Sequence, residues 1–269
     1  MNPPPTSFTP PPRVNVLGVG ISVLNLKSAV ATLAAALAQG QRGYVTITGV
    51  HGVIESQEDP KLLEIHNASL LSTPDGMPMV WMGRIRGHPD MDRVYGPDLM
   101  EHLMAWSQNS GATHYFFGGN TGVAQELKAK LEQRFPGVRI LGTYTPPFRP
   151  LNEEEWTVLS QELDRLQPDF FWVGLSTPKQ ERFMAAHASR LNTKILLGVG
   201  AAFDFHAGRV VQAPRWIQRS GLEWLFRLSK DFRRLWPRYS RIVPLFLIRA
   251  TLQLTGIRKY PDPRPPGSS

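Results

Sequence analysis

Segments typical of β-strands and of α-helices alternate along most of this 269-residue chain, and this alternation constrains the fold more than any other feature. Strands are predicted at 14–19, 44–48, 113–117, 138–143, 169–174 and 194–199. Helices are predicted at 26–38, 59–70, 123–134, 153–166 and 179–191. Strands that alternate with helices of this length favour right-handed βαβ units. The sequence therefore predicts an α/β fold with a Rossmann-like, mostly parallel sheet and flanking helices.

The positive charge of the chain is concentrated in its last quarter. The formal net charge is +8, but residues 1–204 carry −2 and residues 205–269 carry +10. No strand signal follows residue 205, where the sequence becomes helical, aromatic and basic. Such asymmetry is typical of a segment that interacts with an anionic partner. The alternative is a solvated helix that is rich in arginine.

The predicted organisation has four parts. A disordered Pro-rich leader (1–12) precedes an α/β domain (13–208), a helical, basic and aromatic appendage (209–257) and a loose Pro-rich tail (258–269). The leader lacks the basic and apolar regions of a signal peptide, and no apolar run is long enough to predict a membrane-spanning helix. Because the chain has no cysteine, disulfides, thiolate metal sites and a cysteine nucleophile are excluded.

The first candidate for chemistry is Asp75, which lies in the Pro- and Gly-containing segment Ser-Thr-Pro-Asp-Gly-Met-Pro. A carboxylate on a rigid turn can act as a general base if burial raises its pKa towards neutrality. An aspartate in such a turn can also serve only to hold its own backbone. Spacing alone leaves both interpretations open.

Two strand-to-helix connections are candidates for anion binding. Gly118, Gly119 and Asn120 lie where backbone amides can approach a phosphate or ribose, although a tight turn explains the glycines equally and the spacing is not G-x-G-x-x-G. Lys179 and Gln180 begin a predicted helix directly after a strand. A lysine in the first turn opposes the helix dipole, which favours a bound anion nearby.

Three further acidic residues could contribute to a site. Asp204 follows the last predicted strand and is a candidate second carboxylate, whereas His206 is interpreted as structural. Asp90 and Asp92 form the D-x-D pattern that many sugar-nucleotide transferases use for a divalent cation. A three-letter match occurs too often by chance to count. The sequence therefore predicts no metal site and no cofactor.

Taken together, these stretches resemble the WecG/TagA/CpsF family, glycosyltransferase family twenty-six, from about residue 14 to about residue 239. The segment that resembles the family most clearly is 213–227, Ala-Pro-Arg-Trp-Ile-Gln-Arg-Ser-Gly-Leu-Glu-Trp-Leu-Phe-Arg. The other segments that resemble the family are Val-Thr-Ile-Thr over 45–48, Pro-Asp-Gly over 74–76, Arg-Val-Tyr-Gly-Pro-Asp over 93–98, Phe-Gly-Gly over 117–119, Pro-Lys-Gln-Glu over 178–181, and the segment 198–208.

The resemblance implies an inverting, metal-independent transferase that acts in cell-surface polysaccharide biosynthesis. Such an enzyme moves N-acetylmannosamine, its uronic acid or a related hexose from a UDP-sugar to a polyprenyl-diphosphate-linked saccharide. By position, Asp75 would be the general base, and Thr46, Arg93 and Gln180 would line the same pocket. Thr48 stands where the family usually has Asn, and Ile-Ser-Val over 21–23 stands where an acidic residue is common.

The residues expected to bind substrate come from both the α/β domain and the appendage. In the domain they are Thr48, Gly118, Gly119, Asn120, Lys179 and Asp204. In the appendage, Arg219, Arg227, Arg234 and Arg238 are expected to clamp the diphosphate of UDP. Pro237 is predicted to divide the appendage into two helices.

The appendage also has the pattern of a membrane-surface segment. Apolar residues recur at helical spacing, and basic residues lie on the opposite side. The apolar residues are Leu222, Leu225, Phe232, Leu235, Trp236, Tyr239, Ile242 and Val243. Such a surface suits an anionic bilayer, and packing of the apolar side on the domain is the alternative. We therefore expect a cytoplasmic protein that associates peripherally with the inner face of the cell membrane. Self-association into a homo-oligomer stays open.

Two other classes of function are also considered. A nucleic-acid-binding protein could hold phosphates with the basic tail, but the sequence has none of the standard recognition modules, so nucleic acid is not an expected partner. A Rossmann-type nucleotide-sugar oxidoreductase or epimerase would need the G-x-G-x-x-G fingerprint and a Tyr-x-x-x-Lys pair. The sequence shows neither.

Overall fold

The computed structural model describes residues 8–263, so 1–7 of the predicted leader and 264–269 of the predicted tail lie outside the described residues. The strands are β1 (Arg13–Val16), β2 (Val19–Ser22), β3 (Gly43–Thr48), β4 (Leu71–Pro74), β5 (Thr113–Gly118), β6 (Arg139–Tyr144), β7 (Phe170–Gly174) and β8 (Ile195–Gly198). The helices are α1 (Leu26–Ala38), α2 (Val50–Glu55), α3 (Pro60–Ala68), α4 (Met77–Ile85), α5 (Gly96–Ser110), α6 (Val123–Arg134), α7 (Glu153–Leu166), α8 (Lys179–His187), α9 (Ala202–His206), α10 (Arg215–Arg219), α11 (Glu223–Lys230) and α12 (Phe232–Leu254).

Six strands form one sheet in the order β4-β3-β8-β7-β5-β6, and β1 and β2 form a separate antiparallel hairpin. The pairings of β3 with β8, β8 with β7, β7 with β5 and β5 with β6 are all parallel. All six residues of β5 and all four of β8 are buried, as expected for strands covered on both faces. The predicted α/β class with a mostly parallel sheet is confirmed.

The chain divides into two compact units. Unit 1 contains Leu26–Thr46 and Gly96–Val211, and thus strands β5 to β8 and most of β3. Its helix α7 begins with a capping box, in which Asn152 accepts from the Glu155 backbone and Glu155 accepts from the Asn152 backbone. Ring contacts among Phe170, Trp172 and His114 fill part of its interior.

Unit 2 contains Pro11–Asn25, Ile47–Tyr95 and the chain from Gln212 onward. Its core includes Val16 and Ile21 of the hairpin, together with Ile242, Phe246 and others from α12. Most of the predicted appendage is therefore packed into unit 2 rather than extended from it. The predicted ranges 13–208 and 209–257 describe functional parts, and they stay predictions.

The hairpin corrects one strand prediction. Residues 14–19 do not form a single strand, because the chain reverses at Leu17 and Gly18, whose φ angles are 52° and 88°. Positive φ at both central residues is the geometry of a type I′ hairpin turn, for which leucine is an uncommon choice. The Asn15 side chain stabilises the turn by accepting from the Gly18 backbone N–H at 2.7 Å.

The last helix corrects another prediction. Pro237 and Pro244 both lie inside α12, which continues from Phe232 to Leu254. Each proline costs about 3 kcal/mol in a helix interior through one lost hydrogen bond and a steric clash. Burial of Ile242 and Phe246 in the core of unit 2 offsets this cost, because each such side chain contributes about 1.5–3 kcal/mol.

Candidate active site

Asp75 lies directly after strand β4 and is fixed by its own backbone. Its N–H donates to the Thr48 carbonyl oxygen at 3.0 Å, and the next residue, Gly76, has a φ of 83°. On another side, Gly49 comes so close that an added Cβ would lie 3.3 Å from Asp75 Oδ2. The Asp75 side chain is 33% exposed, so the carboxylate remains open to a ligand.

Arg93 is the nearest cation to this carboxylate that we identify in unit 2. Its Nη2 atom lies 3.7 Å from Asp75 Oδ1, and its side chain is only 10% exposed. Nη1 donates to Gln218 Oε1 at 2.8 Å, and the guanidinium carbon lies 4.0 Å from the centre of the Tyr95 ring. The hydrogen bond and the ring together fix the plane of the guanidinium.

Helix α11 adds a second acidic and a second basic residue. Glu223 Oε2 lies 2.5 Å from Arg93 Nη2, and Glu223 Oε1 lies 2.7 Å from Arg227 Nη2. Arg227 Nη2 also donates to the Tyr95 hydroxyl at 2.8 Å. We use the name Asp75 cluster for the following six residues: Asp75, Arg93, Tyr95, Gln218, Glu223 and Arg227.

The electrostatics of the cluster favour proton transfer at Asp75. Burial raises the pKa of the Asp75 carboxyl, and the Glu223 charge raises it further, while the Arg93 and Arg227 charges oppose the increase. Burial also raises the pKa of the Tyr95 hydroxyl, which therefore stays protonated at neutral pH. A carboxylate with a raised pKa can accept a proton, and the guanidinium groups of the same cluster can bind an anion.

The structure assigns different environments to the other predicted residues of unit 2. The Thr48 side chain is buried, where its hydroxyl accepts from Ser72 Oγ at 2.8 Å and lies 3.1 Å from His66 Nδ1. Its carbonyl group, rather than its hydroxyl, contacts the Asp75 backbone. Of the four predicted appendage arginines, Arg227 belongs to the Asp75 cluster.

The other three arginines predicted to clamp the diphosphate are exposed. Arg234 forms an ion pair with Asp231, the residue that precedes α12. The charge of Arg238 contributes to the lowered pKa of His51, for which burial is the larger cause. Arg219 is the last residue of α10. A role for these three residues in substrate binding stays a prediction.

In unit 1, Gln180 and Glu181 form a buried polar pair at the start of α8. Gln180 Nε2 donates to the Gly198 carbonyl oxygen at 3.1 Å and to Glu181 Oε1 at 3.2 Å, and Thr177 Oγ1 donates to the same Glu181 atom at 2.9 Å. Gln180 Oε1 and Glu181 Oε2 have no hydrogen-bond partner among residues 8–263. Burial raises the pKa of Glu181.

The glycine turn after β5 has a clear packing explanation. A Cβ on Gly118, whose φ is 130°, would lie 2.6 Å from the Gly174 carbonyl oxygen, and the Gly119 N–H donates to that oxygen at 3.0 Å. Asn120 is exposed beside them. The close approach of β5 and β7 therefore requires small residues here, and nucleotide contact stays a prediction.

The remaining predicted residues of unit 1 lie near the ends of strands. Thr46 is fully buried and pairs with Gly198 across β3 and β8. Lys179 is exposed in the first turn of α8. Asp204 lies on α9, and burial raises its pKa. His206 Nε2 lies 2.9 Å from the Pro97 carbonyl oxygen, and the structural interpretation of His206 stays a prediction.

The D-x-D pattern does not form a cluster of metal ligands. Asp90 is exposed, while Asp92 Oδ1 accepts from the Arg93 backbone at 2.9 Å and lies 3.6 Å from Arg84 Nη2. Among the described residues, no group of three or more His, Asp or Glu side chains could hold a metal ion. Over the same residues, no helix is both long enough and apolar enough to cross a membrane.

Comparison with known proteins decides the family. The model of the glycosyl transferase WecG/TagA/CpsF family matches residues 14–260. The chain belongs to this family of glycosyltransferases. The match includes every residue of the Asp75 cluster, and it extends beyond residue 239, where the sequence resemblance ends.

Three relatives carry the name N-acetylglucosaminyldiphosphoundecaprenol N-acetyl-β-D-mannosaminyltransferase. The one from Bacillus subtilis (strain 168) is 26% identical over 64% of this chain, and the chain covers 65% of its length, just under two thirds. The one from Staphylococcus aureus (strain MRSA252) is 24% identical over 73% of this chain and 75% of its own. The one from Bacillus spizizenii is 26% identical over 77% and 78%, respectively.

Sequence reasoning did not single out four polar residues that the structure brings to the candidate sites, namely Tyr95, Gln218, Glu223 and Glu181. All four lie inside the sequence blocks that carry the family resemblance. Their position could have pointed to them, because each is a polar residue in a segment of the family resemblance whose other polar residues already had predicted roles.

Proposed function

We propose that this glycosyltransferase moves N-acetylmannosamine, its uronic acid or a related hexose from a UDP-sugar to a polyprenyl-diphosphate-linked saccharide. The reaction is inverting and needs no metal ion, and it contributes to a cell-surface polysaccharide. The names of the three relatives support the mannosamine unit and the lipid-diphosphate acceptor. The observation that carries the proposal is Asp75, a partly open carboxylate with a raised pKa in contact with the Arg93 guanidinium.

In the proposed step, the hydroxyl oxygen of the acceptor forms a bond to the anomeric carbon of the donor sugar. The bond from that carbon to the diphosphate oxygen breaks, and its electron pair leaves with UDP. The hydroxyl proton passes to the Asp75 carboxylate. One base suffices, because no covalent sugar–enzyme intermediate forms. Fixed positive charge stabilises the leaving diphosphate, and Arg227 of the Asp75 cluster is the first candidate for this role among the predicted appendage arginines.

We also propose that the remaining predicted residues of the site bind the donor or the acceptor in this reaction. Point substitutions test the appendage arginines more sharply than a deletion after residue 210, because that deletion would also remove Ile242 and Phe246 from the core of unit 2. Arg234→Gln and Arg238→Gln are expected to raise KM for the UDP-sugar. Replacement of Thr46 or Gln180 by Ala is expected to lower turnover.

The decisive assay incubates the protein with a panel of UDP-sugars and a soluble prenyl-diphosphate-sugar analogue, with and without EDTA. We expect transfer that survives EDTA and is lost in Asp75→Asn. Asp90→Asn is the matched control, since it makes the same change at an exposed aspartate of the same unit. Undiminished transfer in Asp75→Asn would refute the base assignment. Transfer that requires a cation would refute metal independence.

We also propose that helices α10 to α12 bring the enzyme to an anionic membrane surface, where a lipid-linked acceptor resides. Part of the predicted apolar face is buried, and it includes Leu235 and Ile242. Another part stays open to solvent, and it includes Phe232 and Trp236, whose rings stack with centroids 5.2 Å apart. Exposed aromatic side chains with nearby arginines suit the headgroup region of an anionic bilayer.

Sedimentation with vesicles tests this surface. We expect binding to vesicles that contain phosphatidylglycerol, weaker binding to neutral vesicles, and a decrease as salt increases. Trp236→Ala should weaken binding, whereas Phe148→Ala, at a 96% exposed aromatic residue of unit 1, should not. Equal loss in both variants would contradict the assignment to the appendage. Self-association stays a proposal that sedimentation velocity can test.

A further inference from the structure

The Arg93 guanidinium lies between two carboxylates, and it is shared unequally between them. Arg93 Nη2 is 2.5 Å from Glu223 Oε2 but 3.7 Å from Asp75 Oδ1. The shorter distance is a charge-assisted hydrogen bond, whereas the longer one exceeds hydrogen-bonding range. Arg93 therefore pairs closely with Glu223 and only loosely, over the longer distance, with Asp75.

Glu223 is well placed to hold Arg93 in this position. It is the first residue of α11, and its side chain is only 16% exposed. Its other oxygen, Oε1, is held by Arg227 at 2.7 Å, and Arg227 is in turn bonded to the Tyr95 hydroxyl. The carboxylate is thus fixed from both ends, which makes it a rigid anchor for the Arg93 side chain.

The consequence for Asp75 follows from distance. The ionisable groups of unit 2 that act on Asp75 are Arg93, Glu223 and Arg227, and Tyr95 also lies in the cluster. Without Glu223, the Arg93 guanidinium would need to move only about 1 Å to form a direct ion pair with Asp75 at about 2.8 Å. A direct pair would stabilise the charged carboxylate and occupy the oxygen that receives a proton.

We propose that Glu223 is a positioning residue, whose carboxylate holds the Arg93 guanidinium away from Asp75 and keeps Asp75 Oδ1 open to accept a proton. This inference rests on the proposed role of Asp75 as general base. Glu223 does not touch the reacting atoms, and it acts through Arg93.

Titration of the Asp75 carboxyl by carbon-13 NMR tests the inference, with the signal assigned by its absence in Asp75→Asn. We expect Glu223→Gln to lower the pKa of Asp75 by about one unit, because direct pairing with Arg93 follows. The control is Glu58→Gln, which removes a carboxylate from an exposed ion pair with Arg241 in the same unit. This control should leave the pKa of Asp75 unchanged.

A second pair of variants separates positioning from the direct effect of the Glu223 charge. If Glu223 acts through Arg93, then Glu223→Gln should change the pKa of Asp75 less than half as much in an Arg93→Gln background. Equal changes in both backgrounds would overturn the proposal. Glu223→Asp keeps the charge but shortens the side chain by one methylene, so positioning predicts a lowered pKa of Asp75, and a purely electrostatic effect predicts none.

Kinetics distinguish this inference from the proposed function. The acid limb of the kcat/KM profile in Glu223→Gln should move to lower pH by the same amount as the Asp75 titration. Full turnover in Asp75→Asn would refute the base role alone, whereas the titrations decide the positioning role independently. An unchanged Asp75 titration in both Glu223→Gln and Glu223→Asp would overturn the positioning role.

Discussion

Gly49→Ala places a methyl group against the Asp75 carboxylate, and it therefore tests whether the position of this carboxylate governs turnover. The added Cβ would lie 3.1 Å from the Asp75 carbonyl oxygen and 3.3 Å from Oδ2, where ordinary contacts begin at 3.4 Å. Asp75 must move by a few tenths of an ångström. The backbone of Gly49 does not resist the change, because its φ of −113° and ψ of −171° suit alanine.

We expect a measurable loss of activity and a small change in stability. Since a displacement of about 1 Å can cost about 100-fold in rate, a shift of about 0.3 Å should lower kcat/KM roughly 4-fold. Gly49 is the N-cap of α2, where alanine is less favourable than glycine, but alanine also lowers the entropy of the unfolded chain. These two effects nearly cancel, and the free energy of unfolding should change by no more than about 1 kcal/mol.

Initial rates with the soluble acceptor analogue, measured beside urea unfolding, check both numbers. Gly20→Ala in the same unit is the control, because its Cβ would lie 2.8 Å from Pro263 Cβ, a steric contact that involves no residue of the Asp75 cluster. We expect this control to lower stability and to leave kcat/KM unchanged. Wild-type activity in Gly49→Ala, or an equal loss in Gly20→Ala, would refute the reasoning.

Two further predictions concern Arg93 and the buried histidines. Arg93→Lys should lower kcat/KM more than 10-fold and reduce the melting temperature, because a single ammonium group does not reproduce the hydrogen bonds to Gln218 and Glu223. Kinetics and calorimetry measure the two effects, and wild-type kcat/KM together with a wild-type melting temperature would contradict the prediction. Burial lowers the pKa of His66 to about 4 and that of His114 to about 3, so the unfolded chain binds more protons below pH 6.5. The free energy of unfolding should therefore fall by about 3 kcal/mol per histidine between pH 6.5 and 4, and a flat urea-unfolding profile would contradict this.

Local signals were sufficient for most of the α/β pattern. Helices α1, α6 and α7 lie where the sequence predicts them to the residue, because their boundaries are set by local features such as the Asn152 capping box and the glycine at 40. The hairpin turn and the continuous α12 were missed for the opposite reason. Leu17 adopts positive φ, and α12 passes through two prolines, because tertiary packing outweighs local preference.

The candidate site shows the same division. Asp75 and Arg93 were predicted from their motifs, and the structure places them in contact. Glu223 was not predicted, because its partner Arg93 lies 130 residues earlier in the chain and no local pattern reports that distance. The role of Gly49 was equally invisible, since the need for a small residue arises only when β4 places Asp75 beside it.

The pH dependence of kcat/KM tests the central claim, that Asp75 accepts the proton of the acceptor hydroxyl, most directly. Because the carboxylate is the active form, activity should fall as the pH decreases through the pKa of Asp75, which burial raises above its ordinary value. Asp75→Asn should lose roughly 100- to 10,000-fold in kcat/KM and should no longer show this acid limb. An acid limb that persists unchanged in Asp75→Asn, with activity retained, would contradict the account.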